Sequence, residues 1–547
     1  MNVPIGLVDK IWPILSKINA LIVMDGYVGS GHYASFGPGD PSTNPTNGDQ
    51  YFGLSEFIRT LTVGGPLLSS FFVTKAHRDT DVGGAADIEH FRFDAHDLSG
   101  YDEIWLFGVA PPGETNALMS DSELAALSTF MDGGGGVFAT GDHEDLGVVL
   151  NGRIPRVRSM RKWYYPGPGP NGEPGAPPAI GPMRIETTQP EPGQTYTTFD
   201  NQSDAIPQPI RPRMYGFGNF FWFREYPHPL LCGPRGVITV LPDHMHEGEV
   251  IEPWDTGASF TFAGETFVEY PTDAHGYQEM PEIVGWGRVV AETDVSTEPT
   301  HVGDPNHIAI SRSFGVIGAY DGHRVGVGRV AVDSTWHHFF DINLVGDPVA
   351  PYPKDEGFKA SPSGEQALAD IESYYRNIGF WIARPGTHVR LFAAAAWYAL
   401  RSQPLNMLVS TRRDYSYPEK LNIGSLALDN LYRIAPPCSL VVILWKSLVE
   451  GPVRIPLPDP WAGPQPGDPP AIDPTILLRA TLGNAILLLA EQRAEIQEME
   501  PEQAVAAITR FAQEGVLRGL RELGADMARY AEGLEGLARG LTANQER

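Results

Sequence analysis

The feature that most constrains the fold is an alternation of apolar strand-like and helix-like segments between residues 19 and 145. Apolar stretches such as NALIVMDGY and YDEIWLFGV are separated by segments with helical spacing, among them LSEFIRTLT and SDSELAALSTFMD. Ser120 and Glu123 stand at capping-box positions of the latter helix, and four glycines end it before the strand GVFAT. This alternation predicts an α/β domain with a mostly parallel sheet and helices on both faces, where ligands bind beyond the carboxyl ends of the strands.

The strand pattern continues to about residue 346, interrupted by a segment rich in proline and glycine. We expect residues 1–346 to form the α/β domain, with an insertion at about 151–235 that contains YYPGPGPNGEPGAPPAIGP, a stretch unsuited to regular structure. After it, the sequence predicts an all-helical region over 347–450, a proline-rich linker over 451–470 and a C-terminal helical segment over 471–547.

The C-terminal segment carries an apolar seam whose spacings alternate between four and three residues. Its members are Val516, Leu520, Leu523, Met527, Tyr530, Leu534, Leu537 and Leu541. Such spacing is typical of a helix packed on a partner helix. The partner is either residues 474–499, in a helical hairpin, or another subunit, in a homo-oligomer.

Composition and charge exclude several classes of protein. The net charge of -27 argues against a nucleic-acid binder, whose surface is basic. With only two cysteines, Cys232 and Cys438, a disulfide scaffold and a four-thiolate zinc site are excluded. The first 24 residues lack a signal-peptide core, and the apolar run CSLVVILWKSLV is too short to span a bilayer. We therefore expect a cytoplasmic protein of bacterial type that contacts neither nucleic acid nor membrane.

Three polar clusters each follow an apolar strand, and together they are the main indication of function. The first contains Asp142, His143, Glu144 and Asp145; the second Asp243, His244, His246 and Glu247; the third Asp333, His337, His338 and Asp341. If the three strands are parallel neighbours, the clusters meet at one edge of the sheet. Histidine with carboxylate suits general acid–base chemistry, and it equally suits a divalent metal such as zinc or manganese. A single such histidine is also commonly a hydrogen-bonded structural residue.

Other polar groups near the same edge are candidate substrate ligands. Arg153, Arg156, Arg158 and Arg161 follow the first cluster, and their planar guanidinium groups suit carboxylate or phosphate. The alternative is that they neutralise nearby acids. Asp25 and Tyr27 end the first strand. No glycine-rich loop ends in Gly-Lys-Ser or Gly-Lys-Thr, so no ATP site is expected.

The order of these segments resembles the class I glutamine amidotransferase-like superfamily, whose core is flavodoxin-like, and within it the ThuA-like (trehalose-utilisation-like) branch. The resemblance is carried by MSDSELAALSTFMDGGGGVFATGDHEDLG and GRVAVDSTWHHFFDIN and covers roughly 20–150 and 230–345. It implies that His143 stands where amidotransferases carry their cysteine, and it points to His337 or His338 as a second functional histidine. Because no cysteine is present at that turn, the usual glutamine hydrolysis is not expected.

These observations favour an enzyme, a hydrolase or isomerase, whose substrate is a small polar molecule; the resemblance implies a carbohydrate. The expected catalytic residues are Asp142, His143, Glu247, His337 and His338. The expected substrate ligands are Asp25, Tyr27, Arg153, Arg156 and Arg158, and the residues expected to bind any metal are Asp243, His244 and His246. The alternative is a catalytically inactive ligand-binding or assembly module with a helical oligomerisation tail.

Overall fold

The structure is a computed structural model, and it describes most of the chain with gaps. The described residues are 14–26, 36, 53–63, 70–78, 86–110, 118–142, 146–163, 207–219, 222–242, 248–253, 256–289, 312–346, 355–409, 414–449, 460–461 and 471–545. Most of the insertion and most of the linker therefore lie outside the described residues.

Seventeen strands are found within these ranges. They are β1 (Lys17–Met24), β2 (Ser70–His77), β3 (Glu103–Phe107), β4 (Gly136–Thr140), β5 (Arg161–Lys162), β6 (Gln208–Pro212), β7 (Met214–Asn219), β8 (Trp222–Pro227), β9 (Cys232–Gly233), β10 (Gly236–Val237), β11 (Val240–Leu241), β12 (Glu249–Val250), β13 (Ser259–Phe262), β14 (Glu265–Val268), β15 (Glu282–Val289), β16 (Arg312–Tyr320) and β17 (Val330–Asp333).

Twelve α-helices are found in the same described ranges. They are α1 (Ser55–Thr62), α2 (Asp121–Asp132), α3 (Val148–Asn151), α4 (Asp341–Leu344), α5 (Pro362–Ile382), α6 (Pro385–Leu400), α7 (Gln403–Val409), α8 (Tyr417–Leu431), α9 (Pro437–Val449), α10 (Pro474–Glu491), α11 (Arg493–Gln497) and α12 (Pro501–Gln545).

The central sheet has a parallel half and an antiparallel half. Its parallel strands lie in the order β2-β1-β3-β4-β17, and β16, β15, β6 and β11 continue it antiparallel. The prediction of an α/β fold with a C-terminal helical region is confirmed. The antiparallel pairing of β16 with β17 has a local cause: only residues 321–329 join the two strands, too few for the crossover that parallel strands need.

The three polar clusters were expected to follow strands that are parallel neighbours. The strand before the second cluster is not a parallel neighbour of β4 and β17. That strand, β11, is two residues long and pairs antiparallel with β6 at the far edge of the sheet. Pro242 follows β11 directly, and Pro209 lies within β6 opposite Val240; since proline cannot donate to a ladder, the pairing is short.

The central strands β3, β4 and β17 are buried along their whole length, as expected for parallel strands covered on both faces. Alternate side chains enter two separate cores. Trp105, Phe107 and Phe138 pack on the face covered by α1 and α5, whereas Ile104 and Val137 pack on the face covered by α2. The region predicted as helical over 347–450 thus supplies one layer of the α/β fold through α5.

The start of β4 lies directly against the end of α5. A β-carbon at Gly136 would come 1.9 Å from the carbonyl oxygen of Ile382, so only glycine fits. The same strand carries Asp142 two residues beyond its other end.

Helices α8, α10 and α12 form the C-terminal bundle, and glycines allow their backbones to approach closely. Gly519 of α12 faces the carbonyl oxygen of Ala480, and Gly424 of α8 faces that of Arg479.

By length and composition, α10 could cross a membrane, yet 72% of it is buried inside the protein. Helix α12 packs on residues 474–491 in a helical hairpin. The hairpin uses only the first half of the seam: beyond Leu523, its side chains at Met527, Tyr530, Leu534 and Leu537 are 48%, 71%, 47% and 67% exposed.

The third cluster contributes a helix cap through Asp341. Its carboxylate accepts the backbone N–H groups of Ser55 (3.1 Å) and Glu56 (2.9 Å) and the Ser55 hydroxyl (2.6 Å) at the start of α1. Burial raises the pKa of Asp341 to about 6, although these hydrogen bonds act in the opposite direction.

Two glycines of α12 provide a matched test of the bundle contacts. A methyl group at Gly519 would lie 2.4 Å from the Ala480 carbonyl oxygen, whereas nothing lies within 4 Å at Gly524. We expect Gly519→Ala to lower the free energy of unfolding by about 1–3 kcal/mol. Gly524→Ala should raise it by up to about 1 kcal/mol. Urea unfolding followed by circular dichroism measures both, and equal effects would contradict the close packing.

The raised pKa of Asp341 predicts a pH dependence of stability. Between about pH 4 and 6 the native state holds a proton that the unfolded chain has lost, so stability falls as the pH rises through this window. Asp341→Asn removes this titration. The stability of the wild type relative to this variant should fall by an amount on the order of 2–3 kcal/mol from pH 4 to pH 6. The exposed control Glu265→Gln should track the wild type, and parallel curves for all three proteins would refute the assignment.

Candidate active site

The carboxyl ends of β4 and β17 bring residues from distant parts of the chain together. The two strands are parallel neighbours, with Val332 opposite Ala139. Beyond them, the backbone N–H of Trp336 donates to the carbonyl oxygen of Gly141 at 2.8 Å. The segments with Asp142 and His337 therefore lie side by side.

Asp142 is fully buried and faces two side chains of the β17 segment. The Thr335 hydroxyl donates to one carboxylate oxygen at 2.7 Å, and Nε2 of His337 lies 3.6 Å from the other. Thr335 also accepts the backbone N–H of His337 at 3.0 Å. One hydroxyl thus fixes both the carboxylate and the backbone that carries the imidazole.

The His337 ring is held on its other side by Asn343. Its Nδ1 lies 2.9 Å from Oδ1 of Asn343, and the Trp336 ring packs at 4.4 Å between ring centroids. Because an amide oxygen only accepts, Nδ1 is the protonated nitrogen, and Nε2 carries the lone pair of the neutral ring. The side chain is 15% exposed, whereas the Asp142 carboxylate is buried. The amide nitrogen of Asn343 is buried and without a hydrogen-bond partner in the described part of the chain.

His338 has a different environment, although it is adjacent in sequence. Its Nδ1 lies 2.6 Å from Asp333, whose second oxygen accepts the Tyr374 hydroxyl at 2.6 Å. The side chains of both His338 and Asp333 are fully buried. This network attaches α5 to the end of β17. The structure therefore gives His338 a contact within the core, not one with solvent.

Arg161, the fourth arginine of the stretch after the first cluster, reaches this site. The guanidinium of Arg161 is fully buried and donates to the carbonyl oxygens of Asp142 and Ser334, the latter at 2.7 Å. It also packs over the Trp163 ring at 4.3 Å. Arg161 holds together the segments that follow β4 and β17. Its place in an arginine-rich stretch gave no signal that distinguished it from its neighbours.

The three arginines expected to bind substrate contact carboxylates elsewhere. Arg153 pairs with Asp121 at 2.7 Å. Arg156 pairs with Asp132 at 2.7 Å. Arg158 lies 3.5 Å from Glu269. Each therefore neutralises an acid, although not the acids of the first cluster.

Asp25 lies at the carboxyl end of β1, as expected, and it is fully buried. One carboxylate oxygen accepts the backbone N–H groups of Val109 (2.5 Å) and Ala110 (3.0 Å). Asp25 thus orders the turn after β3.

Several expected site residues lie outside the described residues: Tyr27, His143, Glu144, Asp145, Asp243, His244, His246 and Glu247. Their neighbours are described. Asp142 belongs to the site, and the backbone N–H of Gly248 donates to the Ser334 carbonyl oxygen at 3.2 Å. Among the described residues, no group of three or more His, Cys, Asp or Glu side chains could hold a metal ion.

Comparison with known proteins gives little further information. No protein-family model and no curated protein matches the chain. Among solved structures, the chain is similar to a ThuA-like protein from Bacteroides uniformis, at 10% identity over 66% of this chain and 91% of that chain. The TM-score of this match is 0.24, which is too low to assign a family.

Proposed function

We propose that this protein is an enzyme of ThuA-like type whose acid–base centre is the His337–Asp142 pair. Its substrate would be a small polar molecule, in the first instance a carbohydrate, which it hydrolyses or isomerises. The observation that carries the proposal is the approach of His337 Nε2 to within 3.6 Å of the buried Asp142 carboxylate at the strand ends.

The geometry suits proton transfer by His337. With Nδ1 donating to Asn343, Nε2 takes a proton from a substrate hydroxyl, a C–H group or a water molecule, and later returns it. The nearby carboxylate stabilises the imidazolium formed in between, and burial strengthens that attraction. The buried Asn343 amide nitrogen is an available donor for an oxygen atom beside the ring.

The order of the parallel strands supports this location. Numbered along the chain, the five strands lie in the order 2-1-3-4-5, which is the order of flavodoxin-like sheets. In such sheets ligands bind beyond the carboxyl ends of the strands, where Asp142 and His337 stand. We therefore favour a flavodoxin-like core for this chain.

A metal-assisted form of the reaction is the alternative mechanism. Asp243, His244 and His246 would then supply ligands for zinc or manganese, and a bound water would become the nucleophile. Metal analysis of the purified protein, before and after dialysis against a chelator, distinguishes the two mechanisms.

Substitution at the pair tests the proposal. A panel of p-nitrophenyl glycosides measures hydrolysis, and deuterium uptake from D₂O into aldoses measures isomerisation. We expect His337→Gln and Asp142→Asn each to lower turnover about 10²- to 10⁴-fold, as removal of a general acid–base group does. In Asp142→Asn the acidic limb of the pH–rate profile should also move to lower pH, because the imidazolium loses its neighbouring negative charge.

The exposed His275 provides the matched control, and His275→Gln should keep full turnover. Thermal melting of every variant separates a loss of chemistry from a loss of fold. A wild-type protein inactive on the whole panel, or variants as active as the wild type, would count against the enzyme and favour the ligand-binding or assembly module.

We also propose that α12 mediates self-association, whether or not the chain is an enzyme. The exposed part of the seam continues the stripe that is buried against α10. Small residues flank it at Gly524, Ala531, Gly533 and Ala538. They permit close approach of a second helix with the same spacing. This pattern favours packing of the stripe against the same stripe of a second copy of the chain.

Light scattering coupled to size-exclusion chromatography tests self-association. The wild type should elute with at least twice the chain mass of 59.7 kDa, and Leu534→Glu should reduce it to a single chain. Glu532→Gln, two residues away at an exposed position, is the control and should leave the mass unchanged. A wild-type mass of one chain at all concentrations would refute this role of α12.

A further inference from the structure

A cavity lies at the end of the sheet opposite the His337–Asp142 pair. Asp321 and Arg324 line it, and both belong to the short connection between β16 and β17. Asp321 also pairs at 2.7 Å with Arg329, the residue immediately before β17. The cavity is therefore next to the amino end of β17, whereas His337 follows the carboxyl end of the same strand. It is separate from the candidate active site.

The walls of this cavity come from parts of the chain that are distant in sequence. Trp381 stands near the end of α5, Lys446 in α9 and Trp461 in the linker, while Glu279 and Glu282 lie at the start of β15. Carboxylates, a lysine and two indole rings thus surround one space. A concave site in which apolar walls carry a few convergent polar groups is the usual form of a small-molecule site.

His228 adds a buried hydrogen-bond donor to the lining. The residue is 3% exposed, and its Nδ1 accepts the backbone N–H of Leu230 at 3.3 Å. Burial lowers the pKa of the imidazole well below its usual value, so the ring is neutral and Nε2 carries its proton. No residue in the described part of the chain accepts a hydrogen bond from Nε2. A buried donor of this kind needs an acceptor from elsewhere.

The carboxylates of the cavity are already paired with cations of the protein. Glu279 pairs with Arg324 at 3.2 Å, and Glu282 pairs with Arg213 at 3.2 Å. An ionised carboxylate offers about four acceptor positions, so these pairs leave positions for a further donor. The cavity therefore combines a donor and acceptors without an unpaired charge. A neutral group that both donates and accepts, as a hydroxyl does, matches this lining better than an ion.

The mouth of the cavity is apolar. Met280 lines the cavity and is 43% exposed, and the equally exposed Tyr277 donates its hydroxyl to Glu279. The closed part has room for one group about the size of a water molecule. A ligand would thus insert one hydroxyl and lay its C–H groups on the exposed side chains outside. A sugar ring, which alternates hydroxyl and C–H groups, has this character.

We infer that this cavity is a second ligand site, which binds a polyol of monosaccharide size through one inserted hydroxyl. The hydroxyl oxygen accepts the Nε2–H of His228, and its proton is donated to Glu279 or Glu282. The C–H groups of the ligand pack on Met280 at the mouth. Binding here does not depend on whether His337 and Asp142 form an active site.

Saturation-transfer NMR and calorimetric titration of the full-length protein with glucose, galactose, mannose and glycerol test the inference. We expect at least one sugar to bind. His228→Phe keeps the ring but removes the donor, and it should raise the Kd about 3- to 10-fold. Met280→Ala, at the surface, should raise it about 3- to 10-fold as well, because apolar contact is lost. Met407→Ala, at another exposed methionine, is the matched control and should leave the Kd unchanged.

The same titration of His337→Gln separates this site from the candidate active site. Binding that persists in His337→Gln and weakens in Met280→Ala supports the second site, even if the wild type turns over no substrate. Binding that is lost in His337→Gln and unchanged in Met280→Ala would overturn it. So would a wild type that binds none of the four compounds. The Met280→Ala result decides the matter if His228→Phe fails to fold.

Discussion

Parallel pairing of β4 with β17 places residues from distant parts of the sequence at one point. Backbone hydrogen bonds hold this pairing, among them the one from the N–H of Val137 to the carbonyl of Arg329 at 2.9 Å. The side chain of Arg161 joins the segments beyond both strands through two carbonyl oxygens. A fully buried cation that contacts carbonyl groups is costly to displace, because its donors would lose partners that water could not replace. The positions of Asp142, Thr335 and His337 all follow from this junction.

Buried ion pairs fix the layers around the sheet in a similar way. Arg78 pairs with Glu123 in the interior, which attaches the segment after β2 to the first turn of α2. Arg329 and Lys446 share Asp321, which attaches α9 to the junction between β16 and β17. Such pairs specify a geometry more than they add stability, because desolvation offsets much of their attraction. Here they join α2 and α9 to the segments that follow β2 and β16.

Local signals in the sequence predicted the elements well. The capping box of Ser120 and Glu123 is present in α2, the apolar run at 19–27 overlaps β1, and the run at 101–109 contains β3. Strand direction beyond β4 could not be predicted, since it depends on the length of connections whose ends are not marked in the sequence. At the site, the polar residues after β4 and β17 were recognisable as candidates. The sequence did not indicate that His337 would be partly exposed and His338 buried. The two neighbours differ because α5 covers only one of them. Arg161 was indistinguishable for the same reason: its role depends on tertiary contacts.

The contact between Gly136 and Ile382 has a consequence for how the site can respond to a ligand. Strand β4 abuts the carbonyl of Ile382 at its amino end, and beyond its carboxyl end the carbonyl of Asp142 is held by Arg161. Both ends of the strand are thus held by contacts with other elements, so the Asp142 carboxylate has a fixed position. Adjustment to a bound molecule must then come from torsions of side chains such as His337, which limits the shapes of ligand that this edge of the sheet can accept.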